Sequence, residues 1–87
     1  MSINIETRSY MLQYYRIIGL NIAYYRKLQG LTQLQLAEKI DISRTHMSNI
    51  EAPNMPTSVS LEVLLSIAKE LELPAYKLLV RPEDSAV

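Results

Sequence analysis

Eighty-seven residues, 48% of them hydrophobic, allow one small domain with a modest core. With no cysteine and a single histidine, the chain excludes disulfides, thiolate metal sites, a cysteine nucleophile and a histidine-rich metal cluster. Two glycines leave no phosphate-cradling loop, no apolar run approaches the roughly 18 residues of a membrane span, and the nine basic and nine acidic residues cancel. At face value that neutrality argues against a nucleic-acid partner. The absent cysteines and the lack of a basic-then-apolar leader fit a cytoplasmic protein.

The charge is unevenly placed. Residues 16–49 carry Arg16, Arg26, Lys27, Lys39 and Arg44 against Glu38 and Asp41, a net +3. Residues 50–87 carry Lys69, Lys77 and Arg81 against Glu51, Glu62, Glu70, Glu72, Glu83 and Asp84, a net −3. A neutral total therefore conceals a basic and an acidic half.

The first predicted element is a long helix. Met11, Tyr14, Tyr15, Ile18, Ile22 and Tyr25 fall on one helical stripe, Arg26 and Lys27 favour its last turn, and Gly30 ends it. Starting near Tyr10, it would run about 30 Å. Thr32 and Gln35 form a capping box for a second helix with Leu36, Ala37 and Ile40 inward. Asp41 and Ser43 favour a turn, and Ser43 caps a third short helix whose buried face is Met47 and Ile50. That helix stops before Pro53, and residues 52–59 read as a loop. Ser60 caps a fourth helix with Leu61, Leu64, Leu65, Ala68 and Leu71 inward. Pro74 suits the first position of a short fifth helix ending near Leu79. Nothing alternates at period two, so no sheet is predicted. The expected organisation is an extension over 1–15, a domain over 16–80 and a tail over 81–87.

Residues 32–51 carry the function. They form two short helices joined by a turn of about three residues, which cross at a large angle and leave the second projecting from the surface. Its outward residues are Arg44, Thr45, Ser48 and Asn49. Arginine can pair with guanine, asparagine with adenine, and serine or threonine with either. Ile18, Ile22, Arg26, Leu31-Thr32-Gln33, Leu36-Ala37, Ile42-Ser43-Arg44, Met47-Ser48, Ile50-Glu51, Ser60-Leu61-Glu62, Leu64-Leu65, Ile67-Ala68, Leu71 and Leu78-Leu79 together resemble the phage-repressor and Cro type of helix-turn-helix domain, the lambda-repressor-like family. The resemblance implies an all-α, five-helix domain, here with an extended first helix, that binds operator DNA as a homodimer in transcriptional control. It also implies that Gln33 contacts phosphate and braces the recognition helix, and that Ser43, Arg44, Thr45, Ser48 and Asn49 face the major groove. No cofactor and no catalysis are implied.

Three departures stand out. Asp41 occupies the turn position usually held by glycine; aspartate tolerates the left-handed conformation but places a negative charge near the DNA face. The stretch Ala52-Pro53-Asn54-Met55-Pro56 is uncharged where the family often has basic residues, which implies fewer phosphate contacts and a shallower salt slope. The early start of the first helix brings Tyr10, Met11 and Tyr14 forward as candidates for a dimer contact. His46 reads as a partly exposed helix residue or a phosphate contact, Leu34 as a lone exposed leucine or part of an interface, and Glu62, Glu70 and Glu72 as a solvated face. The alternative function is a protein-interaction module of the same fold, such as a toxin-neutralising antitoxin or a regulator's docking domain.

Overall fold

The computed structural model describes residues 3–81; residues 1–2 and 82–87, and with them nearly all of the expected tail, lie outside it. The described chain is all-helical: α1 (Ile5–Leu28), α2 (Gln33–Lys39), α3 (Arg44–Glu51), α4 (Leu61–Glu70) and a closing 3-10 turn (Ala75–Leu78). No helix among the described residues is long and apolar enough to cross a membrane.

The apolar spacing predicts that α1 starts near Tyr10, whereas it begins five residues earlier. Asn4 Oδ1 accepts the Thr7 N–H at 2.8 Å and Glu6 lies in the first turn. These early turns bury nothing, so hydrophobic spacing could not reveal them; the cap could. At about 1.5 Å per residue the helix runs about 36 Å. The three caps predicted for α2, α3 and α4 are all formed. Thr32 Oγ1 accepts the Gln35 N–H and Gln35 Oε1 accepts the Thr32 N–H. Ser43 and Ser60 accept from His46 and Val63.

The expected fifth α-helix is instead the 3-10 turn. Pro74 is extended and precedes it rather than opening it. The N–H groups of Lys77 and Leu79 reach back only three residues, to Pro74 and Tyr76. Pro82 follows in the sequence and disfavours helical geometry at Arg81, so no helix can run past residue 80.

Ile18 and Ile22 of α1, Leu36 and Ala37 of α2, Met47 and Ile50 of α3, and Leu64, Ile67, Ala68 and Leu71 of α4 form the core, which Leu78 closes. Tyr15, Tyr25, Ile40 and Ile42 pack partly buried against it. Tyr14, assigned above to the core stripe, is exposed, because it lies to one side of the Ile18–Ile22 line. On α4 the inward stripe is Leu64, Ile67, Ala68 and Leu71; Leu61 and Leu65 face outward, and Ile67 takes a place the spacing had not assigned.

The C-termini of α1, α2 and α4 share one hydrogen-bond pattern. Leu31 N–H reaches Arg26 O, Ile42 reaches Ala37 O and Leu73 reaches Ala68 O, each spanning a residue in the left-handed region. Those residues are Gly30 (φ 74°), Asp41 (φ 60°) and Glu72 (φ 57°). This is the Schellman closure, which satisfies the last carbonyls of a helix, and only the first is made by glycine.

Two α1 residues absent from the sequence argument fix its neighbours. A Cβ on Gly19 would overlap the Ile50 carbonyl oxygen and lie 3.3 Å from Glu51 Cα, so α1 and α3 pack backbone to backbone there. Asn21, 2% exposed, donates its amide hydrogens towards the carbonyls of Lys77, Leu78 and Val80 at 3.3, 3.0 and 2.9 Å. These carbonyls lie at and just beyond the end of the 3-10 turn, where the backbone has no helical partner for them, and Asn21 supplies one.

Candidate nucleic-acid interface

The projecting helix α3 is held from behind. Met47, Ile50 and Glu51 are buried, while Ser43, Arg44, Thr45, Ser48 and Asn49 are exposed. His46, between the two faces, is half-buried. Among the described residues no hydrogen bond engages the side chains of Arg44, Thr45, Ser48 or Asn49. Four side chains with complementary donors and acceptors are therefore free on one side of a fixed helix. Ser43 differs: its oxygen already accepts the His46 N–H at 2.9 Å, which leaves its O–H to donate.

Gln33 does not point free into solvent. Its Nε2–H donates to Glu51 Oε1 at 3.1 Å, linking the start of α2 to the end of α3. The same carboxylate receives Arg26: Nε–H donates to Oε2 and Nη2–H to Oε1, both at 2.8 Å. Arg26 Nη1–H completes the network on the Leu31 carbonyl at 2.7 Å. Both charged side chains are almost wholly removed from solvent. The hydrogen bonds to Glu51 push the Arg26 guanidinium further above its ordinary range, against the opposing effect of burial, and the neighbouring negative charge adds to the rise.

Sequence reading assigns Arg26 to the helix dipole and counts it among free cations; the structure makes it an internal brace. The available signal was its position four residues after Ile22, on the buried stripe, opposite a glutamate that follows buried Ile50. Pairing Arg26 with Glu51 removes one charge from each half of the chain. The free cations of the basic half are Arg16, Lys27, Lys39 and Arg44, all exposed.

Arg16 lies beside the uncharged loop after α3, where its Nε–H donates to Pro53 O at 3.2 Å. The cation missing from the loop sequence is thus brought there from α1. Asp41 is exposed at the α2–α3 turn, as its left-handed role requires.

The candidate dimer residues are not brought together as one set. Tyr10 and Tyr14 are exposed and meet edge to face, with centroids 5.1 Å apart. Met11 turns away, half-buried, into a groove with Ile3, Tyr15 and Pro56. Leu34 is exposed. No group of acidic or histidine side chains among the described residues could hold a metal ion.

Comparison with known proteins bears on the family and the fold. A helix-turn-helix family profile matches residues 22–78. The HTH-type transcriptional regulator SinR of Bacillus licheniformis is 30% identical over 69 residues, covering 79% of this chain and 61% of that protein. SinR of Bacillus subtilis is 33% identical over 63 residues, covering 72% and 56%. The chain thus spans about three fifths of the length of these two relatives. The control protein C.SmaI of Serratia marcescens is 35% identical over 65 residues, covering 75% of each chain. Among solved structures, a hypothetical transcription factor, NHTF, from Neisseria superposes with a TM-score of 0.73 at 26% identity, covering 80% of this chain and 78% of that one. The chain belongs to the lambda-repressor-like helix-turn-helix family.

Proposed function

We propose that this chain is a repressor-like transcriptional regulator that binds specific double-stranded DNA as a homodimer and acts in the cytoplasm without catalysis. The observation that carries the reading is the free outward face of α3, backed by a buried brace. In this reading α3 enters the major groove, and Arg44, Thr45, Ser48 and Asn49 meet base edges. The remaining Gln33 amide hydrogen and the Ser43 O–H donate to phosphate, and Arg16 supplies a phosphate contact in place of a basic loop. Two half-sites about one helical turn apart would each receive one α3. The names of SinR and C.SmaI, a transcriptional regulator and a control protein, support regulation as the role.

The test is selection of bound duplexes from a random pool at low salt, repeated with Arg44→Ala. Wild type is expected to enrich one sequence and the variant to lose discrimination at one position. A pool that stays random at low salt overturns the reading. The uncharged loop and exposed Leu34 favour one second reading, a protein-docking module. A protein partner that protects the Arg44–Asn49 face while the DNA pool stays random would establish it.

A further inference from the structure

α1 carries a second apolar stripe that the other described residues leave largely uncovered, with only Leu79, Val80 and Arg81 along one edge. Tyr10, Tyr14, Leu20, Tyr24 and Leu28 are 57%, 36%, 49%, 56% and 68% exposed, and Ile17 among them is only half-buried. Gly19, where α3 packs, is two residues from Ile17 and so lies about 160° round the helix. The stripe and the braced DNA face thus use opposite sides of α1.

The order of the stripe is symmetric. Tyr10 and Tyr24 lie seven residues either side of Ile17, and Tyr14 and Leu20 lie three residues either side. Two copies of such a helix, run antiparallel about a two-fold axis through Ile17, match apolar to apolar at Tyr10, Tyr14, Ile17, Leu20 and Tyr24, while Leu28 falls opposite position 6 of the second copy, a glutamate. Tyr10 meets the second copy's position 24, Tyr14 meets position 20, and Ile17 meets itself. Exposed Glu6 then falls beside the second copy's position 27, a lysine, at each end. A parallel pairing would instead set position 27 against itself, lysine on lysine. A two-fold interface must be self-complementary in this way.

We infer that the outward stripe of α1 centred on Ile17 is the surface through which two copies of this chain pair, antiparallel. The inference rests on the homodimer proposed above and specifies its surface. The exposed parts of the stripe and of neighbouring Leu79 amount to roughly 600 Å² per copy, and the flanking polar residues bring this near the standard interface of about 800 Å² per partner. Met11 takes no part.

The chain has no cysteine, so single cysteines test the geometry directly. On mild oxidation Ile17→Cys is expected to cross-link to itself, because only the axial residue faces its own copy. Tyr10→Cys alone stays uncross-linked, and mixed with Tyr24→Cys it forms the cross-linked heterodimer. In sedimentation at micromolar concentration wild type runs at twice its 10.0 kDa chain mass. Leu20→Glu and Tyr24→Glu, both on exposed positions, keep their helical circular dichroism and weaken pairing about thirtyfold or more. A monomeric wild type, a dimer indifferent to both glutamates, or self-cross-linking of Tyr10→Cys overturns the inference. A wild-type monomer that still selects a DNA sequence removes the seam and leaves the DNA reading standing; a cross-linked dimer that selects no sequence does the reverse.

Discussion

Arg26 and Glu51, 25 residues apart, meet through two parallel 2.8 Å hydrogen bonds in the interior, and Glu51 is the last residue of the helix that presents Arg44 and Asn49. Removing one partner strands a buried charge. Arg26→Leu is therefore expected to cost about 3–5 kcal/mol, a large part of the stability of so small a domain. The double variant Arg26→Leu/Glu51→Leu should recover much of that loss, because no charge is left without a partner. Urea unfolding of the two variants checks both statements; equal losses would mean that the pair is not what Arg26 contributes.

Gly19 permits α1 to touch the α3 backbone. Gly19→Ala removes a glycine from a helix interior, which alone would stabilise by about 1 kcal/mol. The added methyl group meets Ile50 backbone rather than a flexible side chain, so the overlap dominates. A net loss of about 1–3 kcal/mol is expected in thermal unfolding.

Asp41 and Glu72 hold left-handed geometry that favours glycine. Glu72→Gly is expected to stabilise by about 0.5–1 kcal/mol, the relieved strain exceeding the added freedom of the unfolded chain. In a domain of this size that corresponds to a rise in Tm of about 2–8 °C, readable by calorimetry. Asp41→Gly should stabilise similarly and also remove a negative charge beside the DNA face, so DNA affinity rises at low salt.

Arg44 and Arg16 should fail differently in DNA binding. Arg44→Ala is expected to cost about 1–3 kcal/mol on the selected sequence and relax one base position. Arg16→Ala should weaken all sequences alike and reduce the salt slope by about one. Binding titrations across salt concentrations on a selected and a scrambled duplex separate the two. Both are exposed, so unfolding free energies should stay within about 0.5 kcal/mol of wild type.

The helices were legible where one residue type has a local mechanical job. Thr32, Ser43 and Ser60 marked starts, Asp41 marked the turn, and the outward set on α3 followed from Met47 and Ile50 lying inward. What was not legible depends on partners distant in sequence. Asn21 is an ordinary polar residue until the carbonyls of residues 77–80 arrive beside it, and Gly19 is unremarked until α3 lies across it. Arg26 reads as a cation at a helix end because its place on the buried stripe calls for a partner but does not name Glu51, 25 residues on. The fifth helix was overcalled for a related reason: Pro74 permits a helix to begin, but Pro82 and the captured carbonyls decide how far it can run.

The Asn21 clasp has a consequence for how the chain completes itself. Its acceptors lie 56, 57 and 59 residues away, so the middle of α1 cannot be sealed until the closing turn has been made. A nascent chain can assemble α2, α3 and α4 against the Ile18–Ile22 face, yet one flank of α1 stays unfastened until residues 77–80 emerge. The same helix therefore opens the fold and waits to be locked by its final element, and the last residues of the domain act as a latch rather than as a trailing end.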